Sequence, residues 1–180
     1  MSWRRAAYLL PLIAFVALAV YLSRGLAPGY NPELLPSALI DKPAPSFDLA
    51  GLKGEARLSN QAFADEIVFV NFFASWCVPC RAESPVLMDL ARRDVIVLYG
   101  IDYKDKPEDA EKFLQQYGDP YRRIGVDENG RTAIDFGAYG VPETYAIDRT
   151  GRIRWRHVGP LTADVVTKEI LPLLRELGAS

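Results

Sequence analysis

IVFVNFFASWCVPCR, residues 67–81, contains the only two cysteines of the 180-residue chain. Ile67 to Phe73 is almost unbroken apolar and β-rich sequence, the composition of a strand buried on both faces. From Cys77 to Arg93 the apolar residues Val86, Leu87, Leu90 and Ala91 recur at helical spacing. Cys77 and Cys80 therefore fall where a buried strand hands over to a helix. A helix N-terminus presents unpaired N–H groups and the positive end of the macrodipole. A thiolate on Cys77 is stabilised there and its pKa lowered. Cys80, one turn on, can attack a mixed disulfide formed on Cys77. Pro79 fits a first turn, where its missing N–H has no helical partner anyway, and Arg81 adds positive charge. The pattern predicts a dithiol/disulfide redox site.

Other uses of two cysteines fit less well. Two thiols cannot complete a structural zinc site, and the only histidine, His157, is far away in sequence. A disulfide closing a two-residue loop constrains the unfolded chain little. A soft-metal carrier, such as a copper-donating protein, needs only the two thiolates and stays as a rival. No metal or organic cofactor is implied. With 21 basic and 23 acidic residues and a net charge of −2, the chain lacks the basic footprint of a nucleic-acid binder.

The N-terminus is different in kind. Trp3-Arg4-Arg5 precedes an apolar run from Ala6 to Leu22, then Ser23-Arg24-Gly25. At 1.5 Å per residue the run covers about 26 Å, near the lower limit for a bilayer. Residues 1–25 read as a membrane anchor, with a transmembrane helix over 6–23 and the basic N-terminus on the cytoplasmic side. Ala17-Leu18-Ala19 offers the competing reading of a cleaved signal peptide, but apolar residues continue beyond it. Either reading exports the dithiol to an oxidising compartment, where keeping it reduced needs an outside electron supply. Residues 26–43, rich in proline, read as a linker, and 44–180 as the globular domain.

Within that domain, strands are expected near 47–49, 56–58, 67–73, 94–101, 123–126, 143–147 and 152–158. Helices are expected over 77–93, 107–117, 132–136 and 161–177, with Ser59 capping a brief turn and Thr162 capping the last helix. Asp148-Arg149-Thr150-Gly151 makes a hairpin. Arg152, Arg154 and Arg156 alternate along a strand and read as a solvated face. The sum is an α/β sandwich on a mixed sheet. Gly140-Val141-Pro142-Glu143-Thr144 is the second informative stretch. A proline is admissible at the start of a strand, and after Gly-Val it is also a candidate for a cis bond. A cis turn would leave the backbone of Val141 open to pair with an extended substrate segment.

With Trp76-Cys-Val-Pro-Cys80 after a buried strand and Val141-Pro142 before a late one, residues 44–177 resemble a thioredoxin-fold protein. More closely, Cys77-Val-Pro-Cys-Arg-Ala-Glu83, Ile101-Asp-Tyr-Lys-Asp105, Tyr139-Gly-Val-Pro-Glu-Thr-Tyr145 and RIRWRHVG at 152–159 resemble the DsbE/CcmG family of membrane-anchored thioredoxin-like proteins. That resemblance implies a central mixed sheet flanked by helices, behind an N-terminal transmembrane helix. It implies a single-pass protein of the bacterial inner membrane with its domain in the periplasm. The implied activity is reduction of the apocytochrome c haem-attachment disulfide, or of a mixed disulfide on another cytochrome c maturation protein. A transmembrane thiol reductase of the DsbD/CcdA kind would supply the electrons. An exported oxidase or isomerase is the rival within the enzyme class.

Thioredoxins carry a buried aspartate six residues before the first cysteine; here that position is Asn71, which cannot titrate. Glu143, beside the proline, is the better candidate for tuning the dithiol, with a surface carboxylate as the alternative. Glu83 is read as a solvated helix residue with a possible share in that tuning. Trp76 is expected to shield the nucleophile and contact substrate. Tyr103-Lys104-Asp105 either shapes a partner groove or turns the chain.

Overall fold

The computed structural model describes residues 3–25 and 37–178, and the chain divides after Pro36 into two units. The first contains a single helix, α1 (Trp3–Gly25), with Pro11 inside it. Its side chains are described from Leu10 to Ser23, and Leu10, Leu12, Ile13, Phe15, Leu18 and Tyr21 are all exposed. These positions run round the helix rather than down one stripe. The described side chains cover about 21 Å at 1.5 Å per residue; among the described residues no helix is long and apolar enough to cross a membrane. Residues 26–36 of the expected linker lie outside the described residues.

The second unit begins at Ser37, earlier than the expected boundary at Ala44. The reason is main-chain pairing: Asp41 and Ala44 donate to the carbonyls of Ile153 and Gly151, and Ile153 donates back to Lys42. Leu39 and Ala44 pack on the core behind that ladder. The end of the expected linker is thus an edge of the domain.

Seven strands form one mixed sheet: β1 (Asp48–Gly51), β2 (Leu58–Ser59), β3 (Val68–Phe73), β4 (Val97–Tyr103), β5 (Ile124–Asp127), β6 (Glu143–Ile147) and β7 (Ile153–Val158). Their order is β2-β1-β5-β4-β3-β6-β7. β3, β4 and β5 are parallel, joined through α2 (Val78–Arg92) and α3 (Pro107–Tyr117). Parallel neighbours need such crossovers, whereas β6 and β7 are antiparallel and need only the hairpin. β3 lies between β4 and β6 and is buried at every position, which is why its sequence shows no alternation.

The two faces of β3 build two cores. Val68, Val70 and Phe72 join Phe63, Tyr99, Phe136, Tyr145 and Ile147 on the face covered by α4 (Arg131–Asp135) and the turn Asn60–Phe63. Phe72, Phe136 and Tyr145 meet edge to face, with centroids 5.3 to 5.7 Å apart. Phe69 and Phe73 face the other way, against α2, α3 and the C-terminal helix. That last helix runs Ala163–Val165, Val166–Ile170 and Leu171–Glu176, its middle segment wound as a π-helix. Pro172 has no N–H to donate and would crowd the carbonyl one turn back, and the wider turn just before it accommodates this. Thr162 caps the helix by accepting from the Val165 N–H.

β4 begins at Val97 rather than at Asp94, because Asp94 and Val95 are used to close α2. Asp94 adopts a left-handed φ of 53°, its N–H donates to Ala91, and the Val95 N–H reaches back to Leu90. This is a Schellman closure with an aspartate where glycine is commoner, and Val95 packs in the same cluster as Leu90. The β3–α2–β4 unit, the hairpin and the flanking helices together make the thioredoxin-like α/β fold. Phe136 is fully buried at the centre of the aromatic cluster; Phe136→Ala is expected to cost about 3–5 kcal/mol in chemical denaturation, and a loss below 1 kcal/mol would contradict this packing.

Candidate active site

Cys77 is the N-cap of α2, in extended conformation, with Pro79 in the first turn. The two cysteines are joined in a disulfide of 2.03 Å and are almost fully buried. The Cys80 N–H donates to the Cys77 sulfur at 3.1 Å, one of the otherwise unpaired amides at the head of the helix. A sulfur in this position accepts backbone hydrogen bonds at the positive end of a dipole, and both effects favour its anion once the disulfide is reduced.

The segment leading into α2 is held from β4 and the loop after it. Asp105 accepts from the Ser75 N–H at 2.5 Å and from the Ser75 hydroxyl at 3.0 Å. The Trp76 indole donates to the Lys104 carbonyl at 3.3 Å, and its ring lies 6.4 Å from that of Tyr103. Tyr103-Lys104-Asp105 is therefore a latch on the Ser75–Trp76 step. Trp76 and Val78 stand out as exposed large apolar side chains around the buried sulfurs.

From the other side comes the loop before β6. β6 runs antiparallel to β3 with Glu143 opposite Phe72, so Val141 and Pro142 lie at the end of the sheet where β3 gives way to α2. The Val141–Pro142 peptide bond is cis. Val141 packs against the cluster that holds both cysteines. A groove of about 210 Å³ runs there, lined by Pro79, Tyr139, Val141, Pro142, Val158 and Pro160 among others. The Pro142 carbonyl is taken by the Gly159 N–H at 2.9 Å. Among the described residues the Val141 main chain has no hydrogen-bond partner.

Both glutamates are buried, in environments other than those expected. Glu83 is 1 % exposed, not solvated. It shares the inward face of α2 with Cys80, Ser84, Leu87 and Leu90, because positions three and four apart on a helix share a side. One oxygen accepts from Asn71 Nδ2 at 3.1 Å, the other from the Leu161 N–H at 2.9 Å. Burial pushes its pKa from 4.5 up to about 7, against the lowering effect of those two donors. Glu143 is also buried but sits on the opposite face of the sheet, with Phe72 and Tyr145. There Arg156 pairs with it at 2.7 Å, and the Tyr145 hydroxyl and Tyr139 N–H complete its shell. Glu83 is thus the carboxyl beneath the dithiol, and Glu143 belongs to an ion pair behind the proline loop.

Asn71 links this interior. Its amide donates to Glu83 and to the Thr144 hydroxyl at 3.0 Å, and its carbonyl accepts the Tyr121 hydroxyl at 2.7 Å. A non-titrating amide here bridges three groups and leaves the proton to Glu83. Burial, then the nearby Glu83 charge, holds the Tyr121 phenol firmly protonated. Asp102 on β4 is also fully buried, and neither of its oxygens has a hydrogen-bond partner among the described residues. Burial, then the charge of Asp105, pushes it up to about 8, which favours the neutral acid. Sequence reasoning gave Asp102 and Tyr121 no role and read Arg156 as part of a solvated face, whereas its side chain is buried. Asp102 carried one available signal, a carboxylate inside the apolar stretch VIVLYGID. Tyr121 carried none.

Since Glu83 binds its proton more tightly folded than unfolded, its contribution is complete below about pH 4.5 and is lost as pH rises toward about 7. Glu83→Gln should remove that fall, so the wild-type minus E83Q stability difference declines across this window in urea titrations of the oxidised protein. Asp102 titrates in both proteins and cancels. Parallel curves would show that Glu83 ionises normally.

The AhpC/TSA family model matches residues 40–156. The thiol:disulfide interchange protein HelX of Rhodobacter capsulatus is 46% identical over 145 residues, covering 80% of this chain and 82% of that protein. The thiol:disulfide interchange protein DsbE of Pseudomonas aeruginosa is 42% identical over 175 residues, covering 97% and 96%. A Chlorobium tepidum crystal structure assigned as a thiol:disulfide interchange protein DsbE superimposes with a TM-score of 0.61 at 33% identity, covering 76% of this chain and 96% of that one. Similarity of this extent, spanning the cysteine pair and the proline loop alike, places the chain in the AhpC/TSA family and, within it, among the DsbE-type thiol:disulfide interchange proteins.

Proposed function

We propose that this disulfide oxidoreductase works as a reductant in cytochrome c maturation, tethered by α1 to the bacterial inner membrane with its domain in the periplasm. The observation that carries the docking part of this reading is the Val141 main chain, unpaired among the described residues and packed on the cluster that holds both cysteines. An extended client segment can add to it as a strand adds to a sheet edge. Resemblance to the DsbE/CcmG family supports the client class, an apocytochrome c haem-attachment disulfide or a mixed disulfide on a maturation partner. The all-round apolar exposure of the described part of α1 supports the tether, since such a helix has no polar face to give to water.

In the reductive direction the Cys77 thiolate attacks one client sulfur, and the other leaves as a thiolate. Cys80 then gives up its proton and attacks the Cys77 sulfur, which releases the client as a dithiol and leaves the Cys77–Cys80 disulfide. Glu83, one turn below Cys80 on the same buried face and with a pKa of about 7, is placed to take that proton. Trp76 screens the site from one side and Pro142 shapes the other. A transmembrane thiol reductase of the DsbD/CcdA kind returns the two electrons.

Cys80→Ala removes the resolving thiol and should accumulate a mixed disulfide on Cys77. Mass spectrometry of that adduct from cells assembling c-type cytochromes should identify apocytochrome c or a maturation protein. Recovery of neither sinks the assignment. Direction is a separate matter, because the same motif serves oxidants. A reduction potential near thioredoxin's, about −270 mV, is expected, and one near about −120 mV would make the protein an oxidase instead.

A further inference from the structure

Behind the proline loop lies a side chain that the exchange chemistry does not use. Arg156 sits in β7 opposite Tyr145, and its side chain is only 6 % exposed. Its neighbours on alternate positions behave differently: Arg152 is exposed, and Arg154 pairs with Asp41 near the sheet edge. The expected solvated arginine face therefore fails at this one position. Arg156 Nε and Nη2 both reach Glu143 Oε2, at 2.9 and 2.7 Å. Nη1 donates to the Tyr139 hydroxyl at 2.9 Å, and Nη2 donates to the Gly137 carbonyl at 3.2 Å. The guanidinium also stacks over the Tyr139 ring, 4.4 Å from its centroid.

These contacts bracket the docking turn. Gly137 and Tyr139 precede Val141–Pro142, and Glu143 follows. Glu143 closes the same ring from its other oxygen, accepting the Tyr139 N–H at 2.9 Å. Neutralising a buried carboxylate needs one cation; it does not need a fork that also grips a carbonyl six residues upstream and a phenol four upstream. A buried ion pair is weak evidence for stability, and fixing one conformation is its better attested use. Only a planar guanidinium has donors enough, in a fixed geometry, for all three partners.

We propose that Arg156 is a positioning residue for thiol–disulfide exchange: by clamping residues 137–143 it holds the Val141 main chain where an extended client lies alongside Cys77. It touches neither sulfur. The inference rests on the docking reading above, and two disulfide substrates separate the two. One is a peptide with an oxidised Cys-x-x-Cys-His segment, long enough to pair with Val141; the other is bis(2-hydroxyethyl) disulfide, which has no backbone to dock.

Arg156→Lys keeps a cation against Glu143 but loses the fork. The reduced R156K protein should show kcat/KM for the peptide lowered about tenfold, the scale of one charge-assisted hydrogen bond, carried by KM. Its rate with the small disulfide should stay within about twofold. Equal losses on both substrates, or no loss on either, overturn the role of Arg156. Wild-type protein that shows no preference for the peptide overturns the docking reading itself, and the clamp with it. Arg156→Gln, which leaves Glu143 without its cation, should show the larger peptide defect. If that variant does not fold, R156K alone decides.

Discussion

The architecture depends on where β3 ends. One parallel neighbour, β4, fixes its direction through the α2 crossover, and one antiparallel neighbour, β6, fixes what arrives near its last residue. A strand of this kind, buried on both faces, hands over to its helix at the end of the sheet, and the helix packs back on the face that carries Phe69 and Phe73. At the N-terminus of α2 unpaired amides, a positive dipole end and a surface opening coincide. Cys77 occupies it as the cap. β6 enters in the opposite sense, so its leading turn reaches the same end of the sheet as the cap. Chemistry and docking are two consequences of one strand's two kinds of neighbour.

Around that point the protein spends its polar residues on holding things still. Asp105 and the Lys104 carbonyl hold Ser75 and Trp76 from one flank. Arg156 and Glu143 hold the proline loop from the other. Beneath lies Glu83, on the buried face of α2 and set to exchange a proton near neutrality, oriented by Asn71 and the Leu161 amide. Rigid flanks and a tunable floor suit a reaction whose reagents are sulfur atoms that must align along a common axis. Two buried carboxyls make the same point: Glu143 is matched by a cation within a fixed frame, while Glu83 is matched by neutral donors and its burial favours the protonated form.

Several local readings followed directly from the chain. The run VFVNFF reads as an interior strand and is one, Pro79 fits the first turn of the helix that Cys77 caps, and Pro107–Tyr117 came out at its expected bounds. The hairpin at Asp148–Gly151 and the Thr162 cap were equally local. Where the reading shifted, a partner distant in sequence was responsible. Residues 41–43 looked like linker because their strand-like pairing is with Arg152 and Ile153, more than a hundred positions away. Glu83 looked solvated because the donors that make its burial tolerable, Asn71 and Leu161, belong to a strand and to a loop far along the chain.

What the sequence determined alone was the identity and spacing of the reacting atoms: two sulfurs three residues apart at a strand-to-helix junction, and a Val-Pro step before a late strand. Spacing along a chain is covalent, so it survives any packing. What only the tertiary structure decided was the electrostatic office of each carboxyl and arginine. Such an office is set by which side of a sheet a residue faces and which far-off donors meet it there. Glu143 and Thr144 are adjacent on one strand, yet one looks into the aromatic core and the other toward Asn71. Neighbours in sequence became members of different sites because consecutive residues of a strand point to opposite faces.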